Sequence, residues 1–438
     1  MPRRSSHAPL HVLLNNRVVG RLSKAATSAI EFRYDPDWLA WEHALPVSLS
    51  LPLREDAFRG AAVAAVFDNL LPDSGALRRR VAERVGASGI DAYSLLAAIG
   101  RDCVGALRFL AERGDDDGSS GSGRGLAGEA LDDEAVEKLL KGLPQAPLGL
   151  GRDDDFRISV AGAQEKTALL LHEGRWLKPH GTTPTTHILK TQMGELPNGI
   201  DLSNSVENEY YCLKLAAAFG LPVNKAEIVT FGATTALVIE RFDRRWTGDG
   251  RLLRLPQEDC CQALSVPPTR KYQSDGGPGL VQLLDLAKGS DTPAEDQRTL
   301  LTAQILFWLV GATDGHAKNF SIFLAPGGRF RLTPLYDILT AQPSLDRGQI
   351  QRKQMKLAMS VGANRHYRIA DVRARHFLQT AEAAGVPKRL VQDAIKTVAE
   401  RGEAALEKAE GELPPGFPGQ IAESVRTAAS ARLRALTA

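Results

Sequence analysis

The sequence predicts an α+β protein in which a strand-rich half precedes a helix-rich half. Its 438 residues exceed what one core usually holds, roughly 250 to 300 residues, so two or three domains are expected. Short β-type runs dominate as far as about residue 240, and long helical spacing dominates after it. With 43% hydrophobic and 24% charged residues, the composition is that of ordinary globular domains.

Composition also argues against several functional classes. The formal net charge is only +2, so any contact with DNA would have to be local. The four cysteines include no CxxC pair, which argues against zinc and a disulfide framework and favours a reducing cytoplasm. No stretch approaches about 18 uninterrupted apolar residues, and the N-terminus has no long apolar region. We therefore expect neither secretion nor a membrane span.

The first predicted domain, residues 1–148, mixes strands and helices. Residues 11–14 and 18–22 are β-type runs on either side of Asn15-Asn16, which tolerates the positive φ of a tight turn. The segment 114–128 is rich in Gly, Asp and Ser and has few apolar residues, so we expect a flexible surface loop. A linker at Pro144–Gly151 places the boundary near residue 148.

Two further domains are predicted, a strand-rich one at 149–242 and a helical one at 243–438. The strands predicted in the former are 167–171, 176–177, 187–190, 226–231 and 235–239, with a helix at 203–219. The helical domain is interrupted by a hairpin at 320–324 and 329–332.

The sharpest chemical signal lies in Gly311–Asn319, directly after an apolar run. Asp314 and Asn319 are five residues apart. This is the spacing of the protein-kinase catalytic loop, in which the Asp accepts the proton of the substrate hydroxyl and the Asn binds Mg²⁺. By itself the pattern is weak, because Asp, Gly and Asn are also common in turns.

A second carboxylate strengthens this interpretation. Asp337 follows the predicted hairpin, eighteen residues beyond Asn319. A kinase places its second metal-binding Asp at this point, and Mg²⁺ prefers carboxylate and amide oxygens. The alternative for Asp337 alone is a strand-end or helix-capping residue. Loop, hairpin and Asp in this order favour the kinase.

Upstream residues fit the same chemistry less specifically. Lys190 ends a predicted strand, where kinases carry the lysine that binds the α- and β-phosphates, and Glu209 could pair with it or be an exposed helical residue. The small-residue loop Ser159–Lys166 matches no standard phosphate-binding pattern, but small side chains let backbone N–H groups approach an anion. Glu240–Phe242 falls where a kinase hinge binds adenine, and an ordinary connector is the alternative.

His316 beside Asp314 also invites a metal-site or hydrolase interpretation. There is no HExxH motif, second nearby histidine ligand or GxSxG elbow to support it, so we set it aside. Four arginines, Arg365, Arg368, Arg373 and Arg375, could touch phosphates, although such a cluster is usually a solvated face.

The chain resembles the HipA family of serine/threonine kinase toxins over nearly its whole length. The matching stretches are 69–73, 99–107, 157–171, 182–190, 208–213, 240–246, 253–262, 272–279 and 311–337. The segment 114–128 and the chain ends depart from the family pattern. The resemblance implies a two-lobed protein-kinase-like domain, with a β-rich N-lobe and a helical C-lobe, behind a mixed α/β N-terminal domain.

The resemblance also implies roles for individual residues. Asp314 would be the catalytic base, Asn319 and Asp337 the magnesium ligands, and Ser159 the autophosphorylation site. The residues implied to bind ATP are Ala161, Gly162, Ala163, Gln164, Glu165, Lys166, Lys190, Glu240, Arg241, Phe242, His316, Ala317, Lys318, Asn319, Tyr336 and Asp337.

Partners follow from the resemblance in the same way. It implies a HipB-like helix-turn-helix antitoxin, operator DNA bound through the complex, and glutamyl-tRNA synthetase as the protein substrate, whose phosphorylation leads to growth arrest and persistence. Two alternatives stay open, a small-molecule phosphotransferase of the antibiotic type and a catalytically silent co-repressor.

Overall fold

The computed structural model describes residues 7–111, 126–151, 155–162 and 164–437. Most of the predicted loop 114–128, and Ala163 of the predicted phosphate loop, lie outside the described residues. Within the described ranges, every helix is too short or too polar to span a bilayer.

Short strands and helices are mixed as far as residue 191. They are β1 (Leu10–Leu14), β2 (Arg17–Lys24), β3 (Ile30–Tyr34), α1 (Pro36–Leu39), β4 (Phe58–Arg59), α2 (Ala61–Asp68), α3 (Gly75–Val85), α4 (Ala92–Ile99), β5 (Leu107–Leu110), β6 (Gly128–Leu131), α5 (Asp133–Lys141), β7 (Lys166–His172), β8 (Arg175–Pro179) and β9 (His187–Thr191). The turn predicted between β1 and β2 is confirmed, because Asn15 has a φ of 50°.

Helices become longer towards the C-terminus. The remaining elements are β10 (Gly194–Glu195), β11 (Asp201–Leu202), α6 (Ser205–Ala218), β12 (Ala226–Phe231), β13 (Thr234–Glu240), β14 (Arg244–Trp246), β15 (Leu252–Arg254), β16 (Gln257–Asp259), α7 (Cys260–Ala263), α8 (Leu280–Leu286), α9 (Pro293–Val310), β17 (Ser321–Ala325), β18 (Arg329–Leu332), α10 (Gln342–Asp346), β19 (Lys356–Val361), β20 (His366–Arg368), α11 (Ala374–Ala383), α12 (Lys388–Gly411) and α13 (Gly419–Thr437). Short 3₁₀ turns join several of them.

The chain divides into two compact units. The first unit comprises Met1–Thr191, Val229–Thr269 and Ile322–Arg329, and the second comprises Gln192–Ile228, Arg270–Ser321 and Phe330–Ala438. The predicted domain boundaries at residues 148 and 242 stay predictions.

Two sheets form the frame of the first unit. One has the strand order β4-β3-β2-β1-β5 and the other the order β12-β13-β9-β7-β8-β6. One face of the second sheet is apolar, where Leu169, Leu189 and Val238 form a core cluster with Val136 and Leu140 of α5. Side chains alternate between the faces of a strand, so the neighbouring residues of β7 and β9 face away from α5.

The second unit is predominantly helical. Its central helix is α9, whose residues from Leu300 to Val310 are all buried. A helix that is apolar all round needs other elements on every side, and α6, α8, α12 and α13 pack against it. The loop that follows α9 therefore starts from a fixed point.

Candidate active site

The predicted catalytic loop begins where α9 ends. Gly311 caps the helix with a φ of 74°, a conformation that glycine adopts without strain. Four residues later, a Cβ at Gly315 would lie 2.4 Å from the ring of Phe307, so only glycine fits there. These two glycines let the chain leave the helix and pass close to it.

Asn319 is hydrogen-bonded both to Asp314 of the same loop and to the more distant Asp337. Its amide nitrogen Nδ2 donates to the backbone carbonyl oxygens of Asp314, at 3.0 Å, and of Asp337, at 3.3 Å. Asn319 is 6% exposed, whereas the side chain of Asp314 is 54% exposed and accessible to a substrate. Because the amide nitrogen of Asn319 donates both of these bonds, its amide oxygen is the atom that can bind a cation.

Asp337 lies in an unusual backbone conformation. Its φ is 59°, and non-glycine residues in the left-handed region concentrate at functional sites. The segment after it is fixed, because the backbone of Thr340 exchanges two hydrogen bonds of 2.9 Å with the side chain of Asn208 on α6. The carboxylate of Asp337 and the amide oxygen of Asn319 are donors of the type that Mg²⁺ prefers.

The other residues of the second unit that were predicted to contact ATP form hydrogen bonds within or against the catalytic loop. His316 is 2% exposed, and its backbone N–H donates to the carbonyl of Asp314 at 2.8 Å. Ala317–Asn319 forms a 3₁₀ turn, which includes the buried Lys318. The hydroxyl of Tyr336 donates to the carbonyl of Lys318 at 3.0 Å.

One contact of Asp314 was missed by the sequence analysis. The hydroxyl of Tyr272 donates a hydrogen bond to Oδ1 of Asp314, and its ring packs edge-on against His316 with 4.9 Å between ring centroids. Residues 42 positions apart give no local signal of such a contact. Tyr272 belongs to the stretch 272–279 that carried the resemblance, which was the one available hint.

In the first unit, two lysines lie side by side on the second sheet. Lys166 of β7 and Lys190 of β9 are directly opposite each other in the antiparallel register. Both project from the face opposite α5, and they are 6% and 5% exposed. Like charges directly opposite each other destabilise a sheet, so this face is suited to a polyanion. The ammonium of Lys166 donates to the carbonyl of Ala161 at 2.8 Å.

The described part of the predicted phosphate loop is held at several points. Gly162 has a φ of 112°, and its carbonyl accepts from the backbone N–H of Asp73 at 3.2 Å. The side chain of Gln164 donates to the carbonyl of Thr191 at 2.9 Å. Glu165 pairs with Arg80 of α3 at 2.8 Å. Gln164 and Glu165 therefore fix the loop to its surroundings.

Ser159 is completely buried. Its hydroxyl donates to the carbonyl of Leu70 at 2.7 Å, and its N–H donates to the carbonyl of Asp102 at 2.9 Å. It also forms a parallel β-bridge with Cys103. A phosphate group on this hydroxyl requires residues 159–162 to leave their present position.

Of the three predicted hinge residues, only Arg241 is buried. Glu240 is exposed and Phe242 is half-buried. Arg241 is 3% exposed, and its backbone N–H donates to the carbonyl of Thr186 at 2.8 Å. Its guanidinium forms a salt bridge of 2.8 Å with Asp243. The side chain of Arg241 is thus held in an ion pair inside the protein.

Arg241 belongs to a buried ionic cluster around Asp102. The carboxylate of Asp102 lies 2.8 Å from both Arg244 and Arg254 and 3.4 Å from Arg241, and it accepts two hydrogen bonds from Thr185. Burial alone would raise the pKa of Asp102. The attraction of the three arginines outweighs it, so the pKa of this carboxyl lies well below its ordinary value.

The alternative of an exposed Glu209 is wrong. This residue lies in α6 and is 1% exposed. Its pairing with Lys190 stays a prediction.

Two family models match the chain. The HipA N-terminal domain matches residues 10–110, and the HipA-like C-terminal domain matches residues 158–406. A protein of Sinorhizobium fredii named putative kinase Y4mE is 36% identical, with 88% of each chain covered. The serine/threonine-protein kinase toxin HipA of Shewanella oneidensis is 28% identical over 93% of this chain and 90% of its own.

A solved structure matches the fold. It is the complex of Shewanella oneidensis HipA and HipB with operator DNA, whose chain aligns with a TM-score of 0.80 at 26% identity, covering 98% of this chain and 97% of its own. This match confirms the predicted α+β class with a kinase-like domain.

Proposed function

Since this chain belongs to the HipA family, as its two matching domain models show, we propose that it is the kinase toxin of a HipBA-like toxin–antitoxin pair. The family confirms the resemblance seen in the sequence and the prediction of a serine/threonine-protein kinase. The observation that carries the proposal is the hydrogen bonding of Asn319 to both Asp314 and Asp337. These bonds bring together the three residues to which the proposal assigns phosphoryl transfer.

Asp314 is the proposed proton acceptor. Its exposed carboxylate can accept the proton of a serine or threonine hydroxyl as that oxygen attacks the γ-phosphate of ATP. Asn319 and Asp337 are the proposed ligands of Mg²⁺, with the amide oxygen of one and the carboxylate of the other. When bound, Mg²⁺ supplies neutralisation of the charge on the transferring phosphate.

Lys166 and Lys190 are the proposed phosphate-binding residues, together with the loop at 161–166. The two lysines are paired across β7 and β9 and lie on one face of the sheet, so an anionic triphosphate bound there would be attracted by both charges. Among the proposed hinge residues, the side chain of Arg241 is used by the ionic cluster, so adenine would be bound by backbone groups of Glu240 and Phe242.

Phosphorylation of Ser159 is the proposed off-switch. Because its hydroxyl is buried against Leu70, a phosphate of about −1.5 to −2 charge cannot be accommodated in place. Autophosphorylation therefore needs residues 159–162 to open, and the modified segment would stay in solvent. The loop at 161–166 would then no longer bind the nucleotide. A permanently buried Ser159 that is never phosphorylated is the competing account.

The proposed partners follow the family. A complex of HipA with HipB and operator DNA is known for the Shewanella protein, so we propose a HipB-like antitoxin for this chain and repression of its own operon through the complex. Glutamyl-tRNA synthetase is the proposed substrate, and the cytoplasm the proposed location.

Growth of a bacterial host tests the toxin proposal. Overproduction of the wild type should arrest growth, and co-expression of the cognate antitoxin should relieve the arrest. The Asp314→Asn variant, which loses the proton acceptor, should be harmless at equal abundance. Arrest by this variant as strong as that of the wild type would show that toxicity does not need catalysis.

Transfer of radiolabel tests the substrate proposal. Incubation with [γ-³²P]ATP should label purified glutamyl-tRNA synthetase and leave aminoglycosides and other small alcohols unlabelled. Label on small molecules alone would favour the alternative of a small-molecule phosphotransferase.

A further inference from the structure

Tyr272 is in direct contact with the proposed proton acceptor. Its phenol hydroxyl donates to Oδ1 of Asp314, and its ring lies edge-on to His316 at an interplanar angle of 83°. All three residues belong to the second unit. The proposed proton acceptor, metal ligands and nucleotide-binding residues do not include this tyrosine.

The backbone around Tyr272 is tightly folded. Its carbonyl oxygen accepts hydrogen bonds from the N–H groups of Asp275, at 3.0 Å, and Gly277, at 2.9 Å. A Cβ on residue 277 would lie 2.0 Å from the carbonyl oxygen of Arg270, so this turn accepts only glycine. The turn therefore holds the backbone of Tyr272 in one conformation.

The next residue fastens the turn to a strand. The side chain of Gln273 accepts a hydrogen bond of 2.7 Å from the backbone N–H of Ser360 on β19. A Cβ on Gly279 would lie 2.3 Å from the Gln273 amide, so glycine is required there for Gln273 to keep its place. With the turn and this anchor, the phenol approaches Asp314 from a rigid support.

We propose that Tyr272 is a positioning residue for Asp314. An aspartate χ2 torsion is broad, so the half-exposed carboxylate of Asp314 needs a hydrogen bond to keep one orientation. Nε2 of His316 lies 3.9 Å from Oδ1, beyond hydrogen-bond distance, whereas the hydroxyl of Tyr272 donates to Oδ1. The phenol binds Oδ1 and leaves Oδ2 to face the acceptor hydroxyl. Such a fixed orientation helps to keep the reacting atoms in line, and phosphoryl transfer depends on positioning together with electrostatic stabilisation.

The step itself is the one proposed above, on which this inference rests. The acceptor oxygen forms a bond to the γ-phosphorus, and the bond from that phosphorus to the β,γ-bridging oxygen breaks, releasing ADP. The hydroxyl proton passes to Oδ2 of Asp314, while Tyr272 keeps its own proton and its bond to Oδ1. Tyr272 acts only through Asp314.

The Tyr272→Phe variant isolates the hydroxyl, because the phenyl ring keeps its packing against His316. We expect kcat to fall by about tenfold to a hundredfold, since small misplacements of a catalytic group cost that much. The KM for ATP and the thermal midpoint should not change, which a general structural defect would not allow. Tyr210→Phe, which removes the same atom from α6, is the matched control and should behave as the wild type.

The assay is transfer of ³²P from [γ-³²P]ATP to two acceptors, glutamyl-tRNA synthetase and an Asp314→Ala copy of this chain. In the Asp314→Ala background, adding Tyr272→Phe should change nothing further. If the wild type is active and the Tyr272→Phe variant is equally active or faster, the inference is overturned. The kinase proposal then still stands. A wild type that labels neither acceptor, nor hydrolyses ATP, overturns both.

Discussion

The side-chain amide of Asn319 donates a hydrogen bond to the backbone carbonyl oxygen of Asp337, 3.3 Å away. This bond uses the backbone of Asp337, and the carboxylate of the same residue is the proposed metal ligand. Replacing that carboxylate should lower kcat by at least about a hundredfold, because a metal ion contributes several kcal/mol to the transition state. Phosphoryl transfer should be measured for Asp337→Asn, which tolerates a φ of 59° as aspartate does.

Asp337→Gly is the matched control for backbone strain, because glycine adopts this φ freely. Both variants should be equally inactive and should keep the wild-type thermal midpoint within a few degrees. Near wild-type activity of either variant would remove Asp337 from the site.

The lysine pair gives a prediction about ATP affinity. Lys190→Met and Lys166→Met should each weaken ATP binding by roughly tenfold, since each removes a charge-assisted bond worth about 1.5 kcal/mol or more. The stability of each variant without nucleotide should be measured alongside, because Lys166→Met also removes the hydrogen bond to the carbonyl of Ala161. Calorimetric titration with ATP measures the affinity.

Lys396→Met on the exposed surface of α12 is the control for the lysine pair, and it should bind ATP as the wild type does. Unchanged affinity in both Lys166→Met and Lys190→Met would show that phosphates bind elsewhere.

Burial of Ser159 gives a prediction with two separable parts. Ser159→Ala removes the hydrogen bond to Leu70 and should lower the free energy of unfolding by about 1 to 3 kcal/mol, because the carbonyl stays buried. The same variant should retain transferase activity and accept no phosphate on this segment. Mass spectrometry after incubation with ATP locates the phosphate in the wild type.

A stoichiometrically Ser159-phosphorylated sample should bind ATP at least about tenfold more weakly than the unmodified protein, since its loop is displaced. Full ATP affinity in such a sample would refute the switch. Failure of any phosphate to appear on Ser159 would instead support the account of a permanently buried hydroxyl.

The ionic cluster predicts a strong dependence of stability on Asp102. Asp102→Asn leaves three buried arginines with less opposing charge, so the free energy of unfolding should fall by about 3 to 5 kcal/mol. Asp249→Asn removes the partner of the exposed Arg251 and should cost less than about 1 kcal/mol. Urea unfolding of both variants measures the difference.

The pH dependence has a defined sign. The pKa of Asp102 is lower in the folded protein, so its contribution is present above the unfolded pKa, about 3.9, and is lost as the pH falls below it. Equal stability of Asp102→Asn and the wild type at pH 7 would contradict this role of the cluster.

Local patterns predicted the elements well. The strands at 226–231 and 329–332 have the predicted bounds, because alternating side chains and flanking turn residues determine them locally. The predicted helix 203–219 begins instead at Ser205, since Asn204 precedes it with non-helical torsions. The spacing of Asp314, Asn319 and Asp337 also pointed to one site, because a loop and a hairpin bring nearby residues together.

Contacts between distant residues could not be predicted in this way. Tyr272 meets Asp314 across 42 positions, and Asp102 meets Arg241 across 139. Such pairs depend on how the elements pack, which periodicity does not describe. For the same reason the burial of Ser159 and the use of the Arg241 side chain within the protein became visible only in the structure.

The central claim is that this chain transfers phosphate to protein by means of Asp314. The most direct measurement is the rate at which the purified wild type and the Asp314→Asn variant label a protein acceptor from [γ-³²P]ATP in Mg²⁺. Asparagine is nearly isosteric but a much weaker base, so the variant should bind ATP normally and lose at least about a hundredfold in rate. An Asp314→Asn variant that labels protein at the wild-type rate would contradict the account.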